Sequence, residues 1–122
     1  MNIDAMQDEI IEGNKLIAEF MGYYYDVVLR AMRNDKGDGF LEEQSQYNSS
    51  WDWLMPVVEK IEKYAKVEIG SYQIIIWYKY EQELKSPDGF YCSIPVNTGE
   101  AKIDITWKAI IAFITWYSQQ NT

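Results

Sequence analysis

The stretch SSWDWLMPVVEKIE (Ser49–Glu62) contains the clearest helix signal in the chain and decides how the rest is read. Ser49 is followed three residues later by Asp52, which is a loose form of the capping box that begins many helices. We therefore predict a helix over Ser50–Ala65, bent in its first turns by Pro56, which has no backbone N–H to donate. This helix separates a polar segment before it from a β-rich segment after it.

The same helix carries two apolar stripes instead of one. The first stripe follows helical spacing and consists of Trp51, Leu54, Met55, Val58, Ile61 and Ala65. The second stripe lies on another side of the helix and consists of Trp53, Val57 and Tyr64. Because a surface helix needs only one apolar face, we expect the second stripe to contact a loop, another layer or a partner.

The residues that follow predict β-structure. Lys66–Glu81 contains a turn signal at Gly70-Ser71 and then YQIIIWYKY (Tyr72–Tyr80), which is rich in β-branched and aromatic residues. Since four consecutive residues of this strand are apolar, we expect it to be covered on both faces. A strong turn signal at Lys85–Gly89 leads into a further strand, Phe90–Val96, so an antiparallel hairpin is the natural connection.

Two other helices are predicted, over Asp4–Met21 and Gly99–Gln119. Gly13-Asn14 interrupts the first pattern, so one helix and two short pieces are both open, and Gly22 is a fair C-cap. The second helix has one apolar stripe formed by Ile103, Trp107, Ile110, Ile111, Ile114 and Tyr117. Its other stripe is formed by Ile105, Ala109, Ala112, Phe113 and Trp116. A helix this apolar is either central in the fold or half of an interface.

The remaining segments are less regular. Tyr23–Met32 is ambiguous between strand and helix, and residues 34–50 are expected to form a polar surface loop. The 122 residues fit one domain, 1–122, of the α+β class with a small antiparallel sheet of about three strands.

Three segments carry a resemblance to a known family: NKLIAEFMG (Asn14–Gly22), Ser49–Glu62, and KIDITWKAIIAFITWY (Lys102–Tyr117). They resemble small uncharacterised proteins of bacteriophages and mobile elements of Bacteroides-type bacteria, and the layout is similar to the phage ABA sandwich domain family. The resemblance implies helices packed on both faces of the sheet, in an α/β/α sandwich-like arrangement. It implies no activity, because none is established for that family. Residues 1–13 form an N-terminal extension beyond it.

Composition disfavours several functional classes. A net charge of −8 repels nucleic-acid backbones, and the absence of histidine removes Ser-His-Asp and Cys-His pairs and the commonest zinc ligand. Cys92 is the one cysteine, so no internal disulfide forms, which fits a reducing cytoplasm. No apolar run is long enough to span a membrane, and the N-terminus is no signal peptide. We therefore expect a cytoplasmic protein without a membrane or nucleic-acid partner.

No cofactor, metal or catalytic motif is predicted. Four acidic residues surround two glycines in the polar loop, namely Asp35, Asp38, Glu42 and Glu43. A calcium loop with Gly39 at its sixth position would place Lys36 third and Ser45 twelfth, and neither residue suits that role. We interpret this segment as a solvated acidic loop.

The leading functional hypothesis is a non-enzymatic protein-interaction module that binds itself, as a homodimer, or a host protein. The candidate interaction surface consists of Trp53, Val57, Tyr64, Ile105, Phe113 and Trp116. One alternative is a protein that binds a small, nucleotide-like ligand in an aromatic pocket formed by Tyr47, Trp51, Asp52 and Trp53. A second alternative is a small enzyme that uses carboxylates.

Overall fold

The computed structural model describes residues 3–78, 91–96 and 99–120. The elements in chain order are α1 (Ile3–Phe20), β1 (Tyr24–Asp26), β2 (Ala31–Arg33), β3 (Gly39–Leu41), a 3-10 turn (Glu42–Gln44), α2 (Trp51–Ile61), β4 (Ala65–Ile69), β5 (Gln73–Tyr78), β6 (Tyr91–Pro95) and α3 (Lys102–Gln120). The strands form two three-stranded antiparallel sheets, in the orders β1-β2-β3 and β4-β5-β6. The predicted α+β class with a small antiparallel sheet is confirmed.

The sheet β4-β5-β6 is the one that the sequence predicted. Val67 pairs with Ile76, which in turn pairs with Cys92, so these three side chains lie on one face. Strand β6 ends at Pro95, as expected of a residue that has no backbone N–H to donate to a neighbouring strand. The turn predicted at Lys85–Gly89 lies outside the described residues.

The two faces of this sheet have different surroundings. Ala65, Ile74 and Ile76 belong to the hydrophobic core together with residues of α2 and α3. On the opposite face Lys66 and Glu68 of the edge strand are exposed, whereas Ile75 of the central strand is buried. The sequence and the family resemblance predicted helices packed on both faces of this sheet. In the described residues α2 and α3 pack on the core face, and α1 forms a further layer against α3.

Helix α1 runs through Gly13-Asn14 without a break, so the alternative of two short helices is wrong. Gly13 has room only for hydrogen, because a Cβ atom there would lie 2.4 Å from Cζ2 of Trp107. Asn14 is buried and accepts a 2.8 Å hydrogen bond from the Trp107 indole through Oδ1, while its Nδ2 donates to Asn48 at 2.9 Å. The two residues that interrupt the sequence pattern are therefore the ones against which Trp107 of α3 packs.

The C-terminus of α1 has the geometry predicted for a glycine cap. Gly22 adopts a φ of 103°, its N–H donates to the Glu19 carbonyl, and the Tyr23 N–H donates to the Ala18 carbonyl. This is the Schellman arrangement, which satisfies carbonyls at the end of the helix. It also turns the chain directly into β1.

Helix α2 begins one residue after its N-cap, Ser50, which makes no side-chain cap hydrogen bond. The predicted capping box of Ser49 and Asp52 is therefore not formed. The buried residues of the helix are Leu54, Val57, Val58 and Ile61. Trp51 and Met55 were predicted on the apolar face, but they are 37% and 39% exposed because the buried face is rotated toward Val57.

The prediction of a surface loop over residues 34–50 holds for the exposed turn at residues 35–38 but not for the whole segment. The segment contains β3 and the 3-10 turn, and Tyr47 is only 5% exposed. Three-residue strands are too short to show a period of two, so the sequence pattern did not reveal them. At Gly39 the strands approach closely, because a Cβ atom would lie 2.6 Å from the carbonyl oxygen of Met32.

Candidate functional site

The interaction surface predicted from the helices requires correction. Val57, Ile105 and Phe113 are 0%, 1% and 0% exposed, so they are core residues and do not form a surface of the folded chain. Trp53 and Trp116 are half-buried and pack against the core. Tyr64, at 37% exposure, is the one member of the predicted set that is exposed.

The position of α3 explains the correction. This helix contacts α1, α2 and the strands β5 and β6, so both of its apolar stripes have neighbours inside the molecule. Phe113 meets Phe20 edge to face at 6.5 Å and stacks on Tyr117 at 5.8 Å. Of the two readings that the sequence left open for this helix, the central one applies.

Three consecutive exposed apolar residues that the sequence did not single out lie at the turn between β1 and β2. Val27, Val28 and Leu29 are 75%, 90% and 53% exposed, and we call these three residues the apolar tip. Val27 and Val28 were read as part of an ambiguous strand, because β-branched residues favour strands. The signal that could have located the tip is an uninterrupted run of three apolar residues flanked by two charged residues, Asp26 and Arg30.

The apolar tip is held by the side chain of Asp26. Its Oδ1 accepts hydrogen bonds from the N–H groups of Val28 and Leu29 at 3.0 and 3.1 Å, and its Oδ2 accepts one from Arg33 at 3.3 Å. These bonds, chiefly the one from Leu29, lower the pKa of the Asp26 carboxyl below its ordinary value. The turn therefore has a fixed conformation although its side chains face solvent.

A second restraint ties the turn to the neighbouring strand. Arg30 adopts a φ of 52°, in the left-handed region, and its carbonyl accepts a 3.0 Å hydrogen bond from the N–H of Glu42. Its guanidinium forms no ion pair within the part of the chain that the structure describes. The residue that follows the tip in the sequence is therefore an exposed cation that has no ion pair among the described residues.

At the other end of the same sheet lies a cleft between β1-β2-β3 and the start of α2. Its volume is about 390 Å³, and its walls include the rings of Tyr23, Phe40, Tyr47 and Trp53. We call it the aromatic cleft. It brings together three of the four residues of the predicted ligand pocket, Tyr47, Asp52 and Trp53, whereas Trp51 does not line it.

The rings of the aromatic cleft meet at steep angles. Phe40 and Trp53 are 5.1 Å apart at 78°, and Tyr47 and Trp53 are 5.1 Å apart at 85°. Burial raises the pKa of Tyr47 to about 12, and the nearby phenol of Tyr23 adds to this effect. Tyr47 therefore stays a neutral phenol at physiological pH and supplies no base.

The acidic segment beside this sheet forms the tight turn between β2 and β3. Asn34 Oδ1 accepts hydrogen bonds from the N–H groups of Lys36 and Asp38, and Gly37 has a φ of 88°. Across residues 3–78, 91–96 and 99–120, no three His, Cys, Asp or Glu side chains come together as a metal site would require. Cys92 is half-buried, and burial raises the pKa of its thiol, which lowers its reactivity as a thiolate.

Comparisons with family models, with curated proteins and with solved structures find no match. Among the described residues, no helix has the length and apolar character needed to cross a membrane.

Proposed function

We propose that this protein is a non-enzymatic interaction module that docks onto a partner protein through its apolar tip. The observation that carries the proposal is the exposure of Val27, Val28 and Leu29 on a turn fixed by Asp26. Its origin in a phage or mobile element and its action in the cytoplasm are part of the proposal. They rest on the resemblance of three sequence segments and on the cysteine content.

Preorganisation favours binding through this turn. A flexible loop loses conformational freedom when it docks, whereas the hydrogen bonds of Asp26 and Glu42 already hold this turn in one shape. Burying the exposed parts of the three apolar side chains would contribute about 3–6 kcal/mol before the cost of association. That magnitude supports binding when a few further contacts surround the tip.

The charge beside the tip indicates the chemistry of the partner surface. The chain carries a net charge of −8, yet both of its arginines, Arg30 and Arg33, lie within a few residues of the tip. Arginine is enriched in interfaces because it forms paired hydrogen bonds with carboxylates. We therefore expect an apolar pocket on the partner, with a carboxylate at its rim that pairs with Arg30.

Site-specific photo-crosslinking tests the proposal. A photoreactive amino acid placed at Val28 should give one discrete protein adduct in the cell that makes the protein. The matched control is the same amino acid at Tyr72, which is 87% exposed on the turn between β4 and β5. Mass spectrometry of the adduct then distinguishes a second copy of the chain from another protein.

Surface variants give an independent measurement. The double change Val28→Ser and Leu29→Ser should abolish the adduct formed from a probe at Val27. The free energy of unfolding should stay within about 0.5 kcal/mol of the wild type, as is usual for exposed positions. Tyr72→Ser is the control and should leave the adduct intact. Equal or absent crosslinking from both turns would refute the proposal.

A further inference from the structure

The aromatic cleft has a chemistry that differs from that of the apolar tip. The two lie at opposite ends of the sheet β1-β2-β3, because Tyr23 and Asn34 flank the open end of the hairpin and the tip closes its other end. The cleft is shallow and widely open to solvent, and its volume of about 390 Å³ falls in the range of small-molecule sites. It is therefore a candidate for a ligand that the tip does not bind.

Neighbouring rings in the cleft wall are steeply inclined to one another. Successive rings meet at 62° for Tyr23 and Phe40, 78° for Phe40 and Trp53, and 85° for Tyr47 and Trp53. Rings at such angles pack edge to face, which is a favoured arrangement for aromatic pairs. Because each ring touches the next at 5.1 to 5.2 Å, the walls support one another without a ligand.

The charge of the described lining is negative. Asp52 is its one charged side chain, it is exposed, and it forms no ion pair within the described residues. No lysine or arginine is part of this lining, so it offers a phosphate no side-chain cation, although the cleft lies at the start of α2. The nucleotide-like ligand, which the sequence analysis gave as an alternative, therefore matches the charge of this lining less well than a cation does.

The chain itself uses aromatic rings to hold cations elsewhere. The ammonium groups of Lys15, Lys60 and Lys66 lie 4.1, 4.7 and 5.3 Å from the centroids of the rings of Tyr25, Phe20 and Trp77. In the part of the chain that the structure describes, no lysine or arginine occupies the equivalent position over a ring of the cleft. Aromatic walls with one carboxylate and no internal cation suit a cation brought by a ligand.

We propose that the aromatic cleft binds a small organic cation with a quaternary ammonium group, which lies against the rings of Phe40 and Trp53 and has Asp52 as its counter-ion. A quaternary ammonium is weakly hydrated and gains from ring faces without needing hydrogen-bond acceptors. The proposal does not depend on the docking function of the tip. Either one can fail while the other stands.

Choline and its neutral carbon analogue, 3,3-dimethylbutan-1-ol, provide a matched pair of probes, because they have nearly the same shape and differ in charge. Binding is followed by the indole N–H signal of Trp53 in the ¹⁵N-labelled full chain, assigned by its disappearance in Trp53→Phe. We expect choline to shift this signal and to bind about fivefold to tenfold more tightly than the neutral analogue. Equal affinity for the two probes, or no shift at about 10 mM choline, would overturn the proposal.

Variants locate the counter-ion. Asp52→Asn should weaken choline binding about fivefold to tenfold and leave the neutral analogue unaffected. Asp35→Asn removes an exposed carboxylate that does not line the cleft, and it should leave both affinities unchanged. Equal weakening by the two variants would indicate attraction to the net charge alone and would overturn the assignment of Asp52.

Two further probes define the ligand class. A peptide with trimethyllysine presents the same group on a protein. If it binds more than about tenfold tighter than choline, the ligand is a modified protein and the proposal of a small organic cation is overturned. Adenosine monophosphate tests the nucleotide alternative, and binding tighter than choline would overturn the proposal. Weaker binding by both probes is the expected result.

Discussion

Replacement of Gly13 by alanine should destabilise this protein, although the same change stabilises most helices. In the interior of a helix glycine is about 1 kcal/mol less favourable than alanine, so helix propensity alone predicts a gain. In α1, however, the new Cβ atom would lie 2.4 Å from Cζ2 and 2.8 Å from Cη2 of Trp107. Neither distance is compatible with an ordinary contact between carbon atoms.

The size of the destabilisation follows from the contacts that the Trp107 indole loses when it moves. The ring has to move by about 1 Å to restore normal contact distances, and overpacking of this kind costs about 1–3 kcal/mol. The same movement lengthens the 2.8 Å hydrogen bond from Trp107 to Asn14, and a buried donor that loses its partner costs a further 1–3 kcal/mol or so. After the gain in propensity is subtracted, we expect Gly13→Ala to lower the free energy of unfolding by about 1–5 kcal/mol.

Urea unfolding followed by far-ultraviolet circular dichroism measures this quantity in a chain of this size. The control is the same substitution in a Trp107→Phe background, where the smaller ring leaves space above residue 13. There, Gly13→Ala should be neutral or stabilising, so the sign of the effect reverses between the two backgrounds. Stabilisation of the wild-type chain by Gly13→Ala would refute the reasoning.

Three further changes test other contacts. Asn14→Leu removes the acceptor of the buried Trp107 indole and should cost about 2–3 kcal/mol in urea unfolding, and a loss below about 0.5 kcal/mol would contradict the hydrogen bond. Lys60→Met removes an ammonium that donates to the Phe20 carbonyl and lies 4.7 Å from its ring centroid. It should lower stability by about 1 kcal/mol in thermal unfolding, and an unchanged melting temperature would exclude a capping role. Burial raises the pKa of Tyr47 from 10.0 to about 12, so the stability that this phenol contributes is complete below pH 10 and is lost as the pH rises toward 12. Tyr47→Phe should flatten this alkaline loss in unfolding titrations, and an equally steep loss would contradict the assignment.

The sheet β4-β5-β6 was predictable because its signal is local. The run from Ile74 to Trp77 is long enough to identify a strand from β-branched and aromatic residues, and turn residues mark its start. Glycine at position 22 also predicted the end of α1, since few other residues adopt a φ near 103°. In each case the deciding residues lie within a few positions of one another.

The surface that we propose for docking was not predictable, because the exposure of a residue depends on neighbours that are distant in the sequence. Helical spacing showed that α3 has two apolar stripes, but it did not show that Phe113 meets Phe20. Likewise Gly13-Asn14 has the pattern of a helix break until Trp107 is placed above it. The apolar tip remained hidden, because Val27 and Val28 have the same propensity in a buried strand as in an exposed turn.

The sequence identified only part of the lining of the aromatic cleft, because the remaining residues come from elements that are too short to be recognised. Asp52 and Trp53 are neighbours of a recognisable helix start, so their proximity followed from the sequence. Phe40 and Tyr23, which complete the cleft, come from strands of three residues or from the end of a helix cap. Such short strands carry too few residues for an alternating pattern to emerge.

The hydrogen bond between Trp107 and Asn14 joins positions 93 residues apart, and this separation has a consequence for biosynthesis. A growing chain emerges from the ribosome in order, so α1 appears well before the helix that covers it. Until residue 107 is outside the exit tunnel, the part of α1 that contacts Trp107, at Gly13 and Asn14, remains uncovered. Contacts of such long range slow folding and expose nascent chains to aggregation. We therefore expect chains that stall before residue 107 to depend on chaperones, whereas completed chains fold without them.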